Sequence, residues 1–199
     1  MKIEMQFPVS VVVHDVDPAL REEIYAKVFA YMESPAGKKA LGTSPIESVE
    51  TSYFTSGTFL RDAALEKLEQ LILECGHNFV GWLGAKDVRL AMERSWINFF
   101  RPGMQEMQHE HDGSILSGCY YVEAPEKCGD FYIPDPIGAR RAHRAWTKTG
   151  CGTMQSATEI SYAPQAGRML MFESWMPHAV LGNKSGKTRI SIAFNLCRA

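Results

Sequence analysis

The sequence predicts an α+β domain in which two helices come first and about eight short strands then close into a two-sheet roll. The first half holds two helix-length stretches with apolar residues at three- and four-residue spacing. From Ser95 onward the pattern changes to short apolar or alternating runs separated by turn residues. The length of 199 residues, with 45% hydrophobic and 22% charged residues and no shift in composition along the chain, fits one well-filled globular unit. The expected organisation is a single domain over 1–199, with helical support over 1–94 and a strand core over 95–197.

The formal net charge of -2 gives no global pull toward nucleic acid or an anionic membrane, so neither is an expected partner. No apolar stretch approaches the ~20 residues that span a bilayer. The opening MKIEMQFPVSVVVHD has acidic residues on both sides of its apolar run and reads as a first strand, not a signal peptide. The five cysteines (Cys75, Cys119, Cys128, Cys151, Cys197) are scattered without a CxxC, which suits reduced thiols and a cytoplasmic location.

In chain order, the valine-rich run Phe7 to Val13 reads as a strand. Asp17-Pro18 supplies an N-cap and a proline at the first helical position, opening a helix through Glu33. Ser34-Pro35-Ala36-Gly37 stops it. Residues 38–60 hold no clear period, with a short strand near Thr51 to Phe54. A second helix spans Asp62 to Leu83, with Leu65, Leu68, Leu71, Ile72, Cys75, Phe79 and Trp82 on one stripe. Such a stripe packs a core; here it supports one face of a sheet. Strands follow at Trp96 to Phe100, through His109, at Ile115 to Val122, Gly129 to Ile133, Thr158 to Tyr162, Arg168 to Phe172, Met176 to Leu181 and Thr188 to Leu196. Between them lies an irregular basic stretch, Ile137 to Ser156, whose place among the strands fits a lid over a substrate of acidic character.

Chemistry concentrates in this second half. Residues i and i+2 of a strand share a face, so His109 and His111 project together beside the turn Asp112-Gly113-Ser114, a ready pair of metal ligands. A third histidine, His178, follows Pro177 at the start of a later strand. Arg189 and Ser191 share one strand face while Ile190, Ile192 and Phe194 share the other. An arginine and a hydroxyl on a buried face suit the two-pronged grip of a carboxylate. His14, His77 and His143 take the ordinary reading of surface or satisfied core residues, and Trp96 and Trp175 that of packing near the mouth.

In this order the motifs His109-Glu110-His111, Ser117-Gly118-Cys119-Tyr120-Tyr121-Val122, His178 and Arg189-Ile190-Ser191 resemble the iron(II) and 2-oxoglutarate dependent oxygenases. The resemblance covers Trp96 to Asn195. It implies a double-stranded β-helix (jelly roll) behind the N-terminal helices, with Fe(II), 2-oxoglutarate and O2 as cofactors. It implies His109 and His178 as iron ligands, Arg189 with Ser191 on the far carboxylate of 2-oxoglutarate, and Tyr121 at the position of a cosubstrate-binding tyrosine. Parity puts Ser117 on the same inward face. Such enzymes usually carry HxD or HxE, and here His111 stands at the acidic position. Three placements stay open: His111 as second ligand; a shifted register with His111 first and Gly113 second, the ligand-deleted arrangement of iron halogenases; and recruitment of Asp135. A site of three imidazoles would leave the ferrous ion its full double charge until the cosubstrate arrives. The reading is a dioxygenase, a hydroxylase of a small molecule, peptide or protein side chain, with a homodimer as a further expectation. The alternatives are a halogenase or desaturase on the same scaffold and a non-catalytic cupin-like binding module.

Overall fold

In the computed structural model, which describes residue 2 and residues 9–43, 49–136 and 159–199, the chain opens with β1 (Val11–Asp15) and α1 (Pro18–Glu33). The first strand runs on through His14 and Asp15; Phe7 and Pro8 lie outside the described residues. Asp17 caps α1 as its sequence predicts, its carboxylate accepting from the Ala19 amide at 2.9 Å. The stop signal at Ser34 is also a start: its hydroxyl accepts from the Gly37 amide and opens α2 (Pro35–Ala40). The short strands β2 (Gly42–Thr43) and β3 (Glu50–Thr51) follow.

The expected second helix begins later than its stripe suggests. A turn of helix, α3 (Phe59–Asp62), comes first, and α4 (Glu66–Trp82) starts only after a break. Ala64 lies in the left-handed region at φ 53°, which no continuous helix accommodates. From there α4 buries Leu68, Ile72, Phe79 and Val80. A Cβ on its Gly76 would lie 2.8 Å from a Leu196 methyl and 3.1 Å from one of Leu90, so glycine lets the helix backbone lie close on the sheet.

The second half supplies β4 (Leu90–Phe100), β5 (Glu106–His109), β6 (Leu116–Glu123), β7 (Phe131–Pro134), β8 (Glu159–Tyr162), β9 (Arg168–Glu173), β10 (His178–Val180) and β11 (Arg189–Arg198). They fall into a seven-stranded sheet of order β1-β9-β6-β11-β4-β3-β2 and a four-stranded sheet of order β5-β10-β7-β8. The pairings between these named strands are antiparallel. Strands β4 to β11 contribute β9-β6-β11-β4 to one sheet and β5-β10-β7-β8 to the other, which is a jelly roll. The strand system is not confined to the second half. β1 pairs with β9, β3 with β4, and β4 itself begins at Leu90.

Two apolar clusters follow from this layering. One fills the space between the larger sheet and the helices, with Ile24, Val28, Leu68, Ile72, Ile192, Phe194 and Leu196. The other lies between the sheets, with Phe100, Tyr121, Phe131, Leu170, Phe172, Met176 and Val180. Among the described residues no helix is long and apolar enough to cross a membrane. The basic stretch expected as a lid, 137–156, lies outside the described residues.

Candidate active site

The inner face of the larger sheet forms a regular wall. Strand alternation sends Arg189, Ser191 and Ala193 of β11 inward, and the register sets their neighbours. Arg189 lies opposite Phe100, Ser191 between Asn98 and Tyr121, and Ala193 between Trp96 and Cys119. All of these line one cavity. Its other wall is the smaller sheet, with Glu106 and His109 from β5, His178 and Val180 from β10, and Phe131 from β7.

The three histidines meet there. His109 and His178 are directly paired across β5 and β10, with ring centres 4.3 Å apart. His111 lies just past the end of β5, where its amide donates to the Ser174 carbonyl at 3.0 Å. Its ring centre is 5.0 Å from that of His109 and 5.2 Å from that of His178. The ligand-capable nitrogens of the three all lie within 4.8 Å of one another.

Hydrogen bonds select their tautomers. His109 Nδ1 faces the Met107 carbonyl at 2.8 Å, and His178 Nδ1 faces the Met176 carbonyl at 2.9 Å. A carbonyl only accepts, so in both rings Nδ1 carries the proton and the Nε2 lone pair is left for a metal. Burial, with the neighbouring His109 adding to it, lowers the His111 pKa to about 4. Burial lowers that of His178 to about 3, again with His109 adding to the effect and the Met176 carbonyl opposing it. Both imidazoles are held neutral, the form a metal requires.

Facing them, Arg189 is only 2% exposed. Its Nη1 donates to the Gly129 carbonyl at 3.1 Å, and its guanidinium carbon lies 3.9 Å above the Phe100 ring. Gly129 itself sits at φ 93°, and a Cβ there would meet the Leu181 carbonyl oxygen, so only glycine turns its carbonyl this way. Among the described residues no carboxylate pairs with Arg189, and its Nε has no hydrogen-bond partner. The buried Tyr121 hydroxyl likewise lacks a partner of proper geometry beside the Cys119 thiol, and burial raises the pKa of both, that of Cys119 to about 11. Native interiors leave few such groups orphaned, so a buried guanidinium with a free Nε beside an unpaired hydroxyl suits an anion.

Comparison with known proteins agrees with this chemistry. A profile of the family described as "Putative 2OG-Fe(II) oxygenase" matches residues 94–195. The chain belongs to that family. It is a 2-oxoglutarate-dependent non-haem iron dioxygenase, whose cofactors are iron(II), 2-oxoglutarate and dioxygen. No functionally curated protein matches it by sequence. The fold of this oxygenase is similar to that of a Pseudomonas putida prolyl-4-hydroxylase, at 18% identity and TM-score 0.61, covering 96% of this chain and 94% of that one. It is also similar to a Trichoplax adhaerens prolyl hydroxylase in complex with a hypoxia inducible factor oxygen degradation domain peptide fragment (13% identity, TM-score 0.65, 94% and 83% covered). A third similar fold is the epimerase SnoN in complex with Fe3+, alpha ketoglutarate and nogalamycin RO (10% identity, TM-score 0.66, 96% and 80% covered).

The oxygenase's residues fit both cofactors. Three clustered imidazoles suit a ferrous ion, and the orphaned Arg189 Nε and Tyr121 hydroxyl suit a carboxylate. Other sequence-derived candidates fall away from the cavity. Ser117 does not line it: its hydroxyl is engaged with Ser174 at 2.8 Å and Asn195 at 2.9 Å. Parity places a residue on a face but not at a height along the strand, and Ser117 lies outside the cavity lining. Asp135, just beyond β7, lies outside the histidine cluster and the cavity lining. Gly113 occupies an open turn at φ 92° after the cluster. Trp96, expected as packing, lines the cavity edge-on to His111 with ring centres 6.0 Å apart. Asn98 and Glu106 were not singled out by sequence; Asn98 follows from the strand face it shares with Trp96 and Phe100, whereas Glu106 has no sequence signal.

Proposed function

We propose that this oxygenase is a hydroxylase acting on a small molecule, a peptide or a protein side chain. Its iron is held by His109, His111 and His178, and its 2-oxoglutarate by Arg189, Ser191 and Tyr121. The observation that carries this reading is the buried guanidinium of Arg189, which no carboxylate of the described residues pairs, in the same cavity as the three histidines. A non-catalytic binding module has no use for that second, cationic seat.

When bound together, iron and 2-oxoglutarate supply oxygen insertion: dioxygen is divided between succinate, formed with loss of carbon dioxide, and a C–H bond of the substrate. The chain's own part is positioning. Arg189 and Tyr121 would hold the far carboxylate, Arg189 by its planar charge-assisted contact. The carbonyls of Met107 and Met176 hold His109 and His178 in the metal-binding tautomer. Phe131, Phe172 and Phe100 exclude water around them. The likeness of the fold to two prolyl hydroxylases, one of them holding a peptide, supports a peptide or amino-acid-like target. Acidic character in the substrate rests on the basic stretch 137–156.

Anaerobic addition of Fe(II) and 2-oxoglutarate should give a visible charge-transfer band, and succinate release across a substrate panel should then identify the target. Arg189→Ala should abolish the band at ordinary cosubstrate concentration while the fold persists, because losing a desolvated charge-assisted contact costs about 2–5 kcal/mol. Arg189→Lys should restore only part. Unchanged 2-oxoglutarate affinity in Arg189→Ala would sink the assignment.

A further inference from the structure

We propose that Glu106 supplies the negative charge that the three-imidazole centre lacks, acting as the electrostatic partner of the bound dication. This rests on the reading of His109, His111 and His178 as the metal ligands. Among the described residues that line the cavity, Glu106 is the one acid. Its Oε1 stands 4.0 Å from Nε2 of His109, the nitrogen left free for the metal by the Met107 hydrogen bond.

The backbone explains how it gets there. Glu106 and His109 are three residues apart, and in a regular strand they would point to opposite sides of the sheet. The ladder between β5 and β10 is irregular: His178 pairs with His109, yet Val180 pairs with Glu106. Two steps along β10 match three steps along β5. One extra residue in β5 is a bulge, and a bulge re-aims the side chains on either side of it. Here it turns Glu106 onto the histidine face.

The charges then balance. Without an acid, a ferrous ion beside Arg189 places three formal positive charges in a largely buried cavity before any cosubstrate binds. The Glu106 carboxylate reduces that excess, and the dianionic 2-oxoglutarate removes the rest. Glu106 therefore loads the metal ahead of the cosubstrate and takes the electrostatic place of the acid that His111 has displaced. A bond to the metal is not required of it, only charge at short range in a poorly screened site.

Manganese(II) tests this without turnover, as a ferrous mimic stable in air. Its affinity should be measured by electron paramagnetic resonance titration at pH 7.5, with and without saturating 2-oxoglutarate. Glu106→Gln should weaken Mn(II) binding about 10–100-fold in the absence of 2-oxoglutarate, the range found when groups just outside the ligands are removed. The deficit should shrink once 2-oxoglutarate is present, and Glu106→Asp, which keeps the charge, should recover most of the affinity. The metal-free melting temperature of Glu106→Gln should match the parent, which separates charge loss from misfolding. Wild-type Mn(II) affinity in Glu106→Gln, with binding lost in His178→Ala, overturns the role of Glu106 and leaves the histidine centre standing. Wild-type affinity in both variants overturns the centre itself. Equal weakening in Glu106→Gln and Glu106→Asp also overturns the proposal, since charge would then not be what matters.

Discussion

The two faces of β11 are equally buried and chemically opposite. Ile190, Ile192, Phe194 and Leu196 pack outward under the helices at 4% exposure or less, while Arg189, Ser191 and Asn195 are buried on the inner side between 2% and 8%. The outer face has only apolar atoms to remove from water, and its burial stabilises the fold directly. Among the described residues, the inner wall buries a guanidinium without a carboxylate partner, a tyrosine hydroxyl without a hydrogen-bond partner and, across the cavity, the uncharged imidazoles of His111 and His178. The orphaned guanidinium nitrogen and hydroxyl lower stability at any pH, the two imidazoles only in acid, and all become favourable when cofactors arrive. One face of the strand is for folding, and the other waits for ligands.

The sharpest way to break this contrast is a pair of substitutions five residues apart on one strand, at Arg189 and Phe194. Phe194→Ala on the outer face should cost about 3–5 kcal/mol of stability, read from the urea midpoint, while the folded fraction still binds 2-oxoglutarate. Arg189→Met on the inner face should leave the stability of the cofactor-free protein unchanged or raise it, because an unpaired buried cation is replaced by an apolar chain of similar length. If Arg189→Met loses as much stability as Phe194→Ala, the inner face is structural and the contrast fails.

Mild acid should act on the inner wall, above the range in which carboxylates such as Asp15 and Glu23 take up protons. In the metal-free fold His111 and His178 stay neutral down to about pH 4 and 3. In the unfolded chain imidazoles take up protons below about 6.5. The unfolded state therefore binds more protons between these limits, and stability falls as the pH drops from about 6.5 toward 4. Each histidine contributes a slope of up to about 1.4 kcal/mol per pH unit in that window, and nothing above pH 7.5. Replacing both by Phe should flatten the dependence of the denaturation midpoint on pH; an unchanged slope would place the titrating groups elsewhere. The smallest effect is expected outside both faces. Asp17→Ala removes the α1 cap and should cost about 1 kcal/mol in thermal denaturation, with no change in the affinity for Mn(II) or 2-oxoglutarate.

Much of this was legible before any coordinates. The Asp17-Pro18 start of α1, the stripe of α4, and the alternation along β11 depend on neighbours in the chain, and local sequence carries that information. The pairing of His109 with His111, and Arg189 with Ser191 on one face, follows from the same period of two. Ala64 was not legible, because a left-handed alanine is imposed by the packing of α3 and α4 on the sheet and not preferred by the residue itself.

By itself, then, the sequence determined which residues share a face, where helices begin, and that histidines and an arginine are available on inward positions. Only the tertiary structure decided what those faces meet. Pairing across β5 and β10 brought His178 against His109, from 69 positions away in the numbering of their register partners. Height along the strand set Ser117 beside Ser174 and Asn195 instead of in the cavity. The bulge in β5 reversed the parity of Glu106 and turned it inward. Parity is a property of one regular strand, whereas register and bulges are properties of two strands together. A chain read residue by residue carries the first and cannot carry the second.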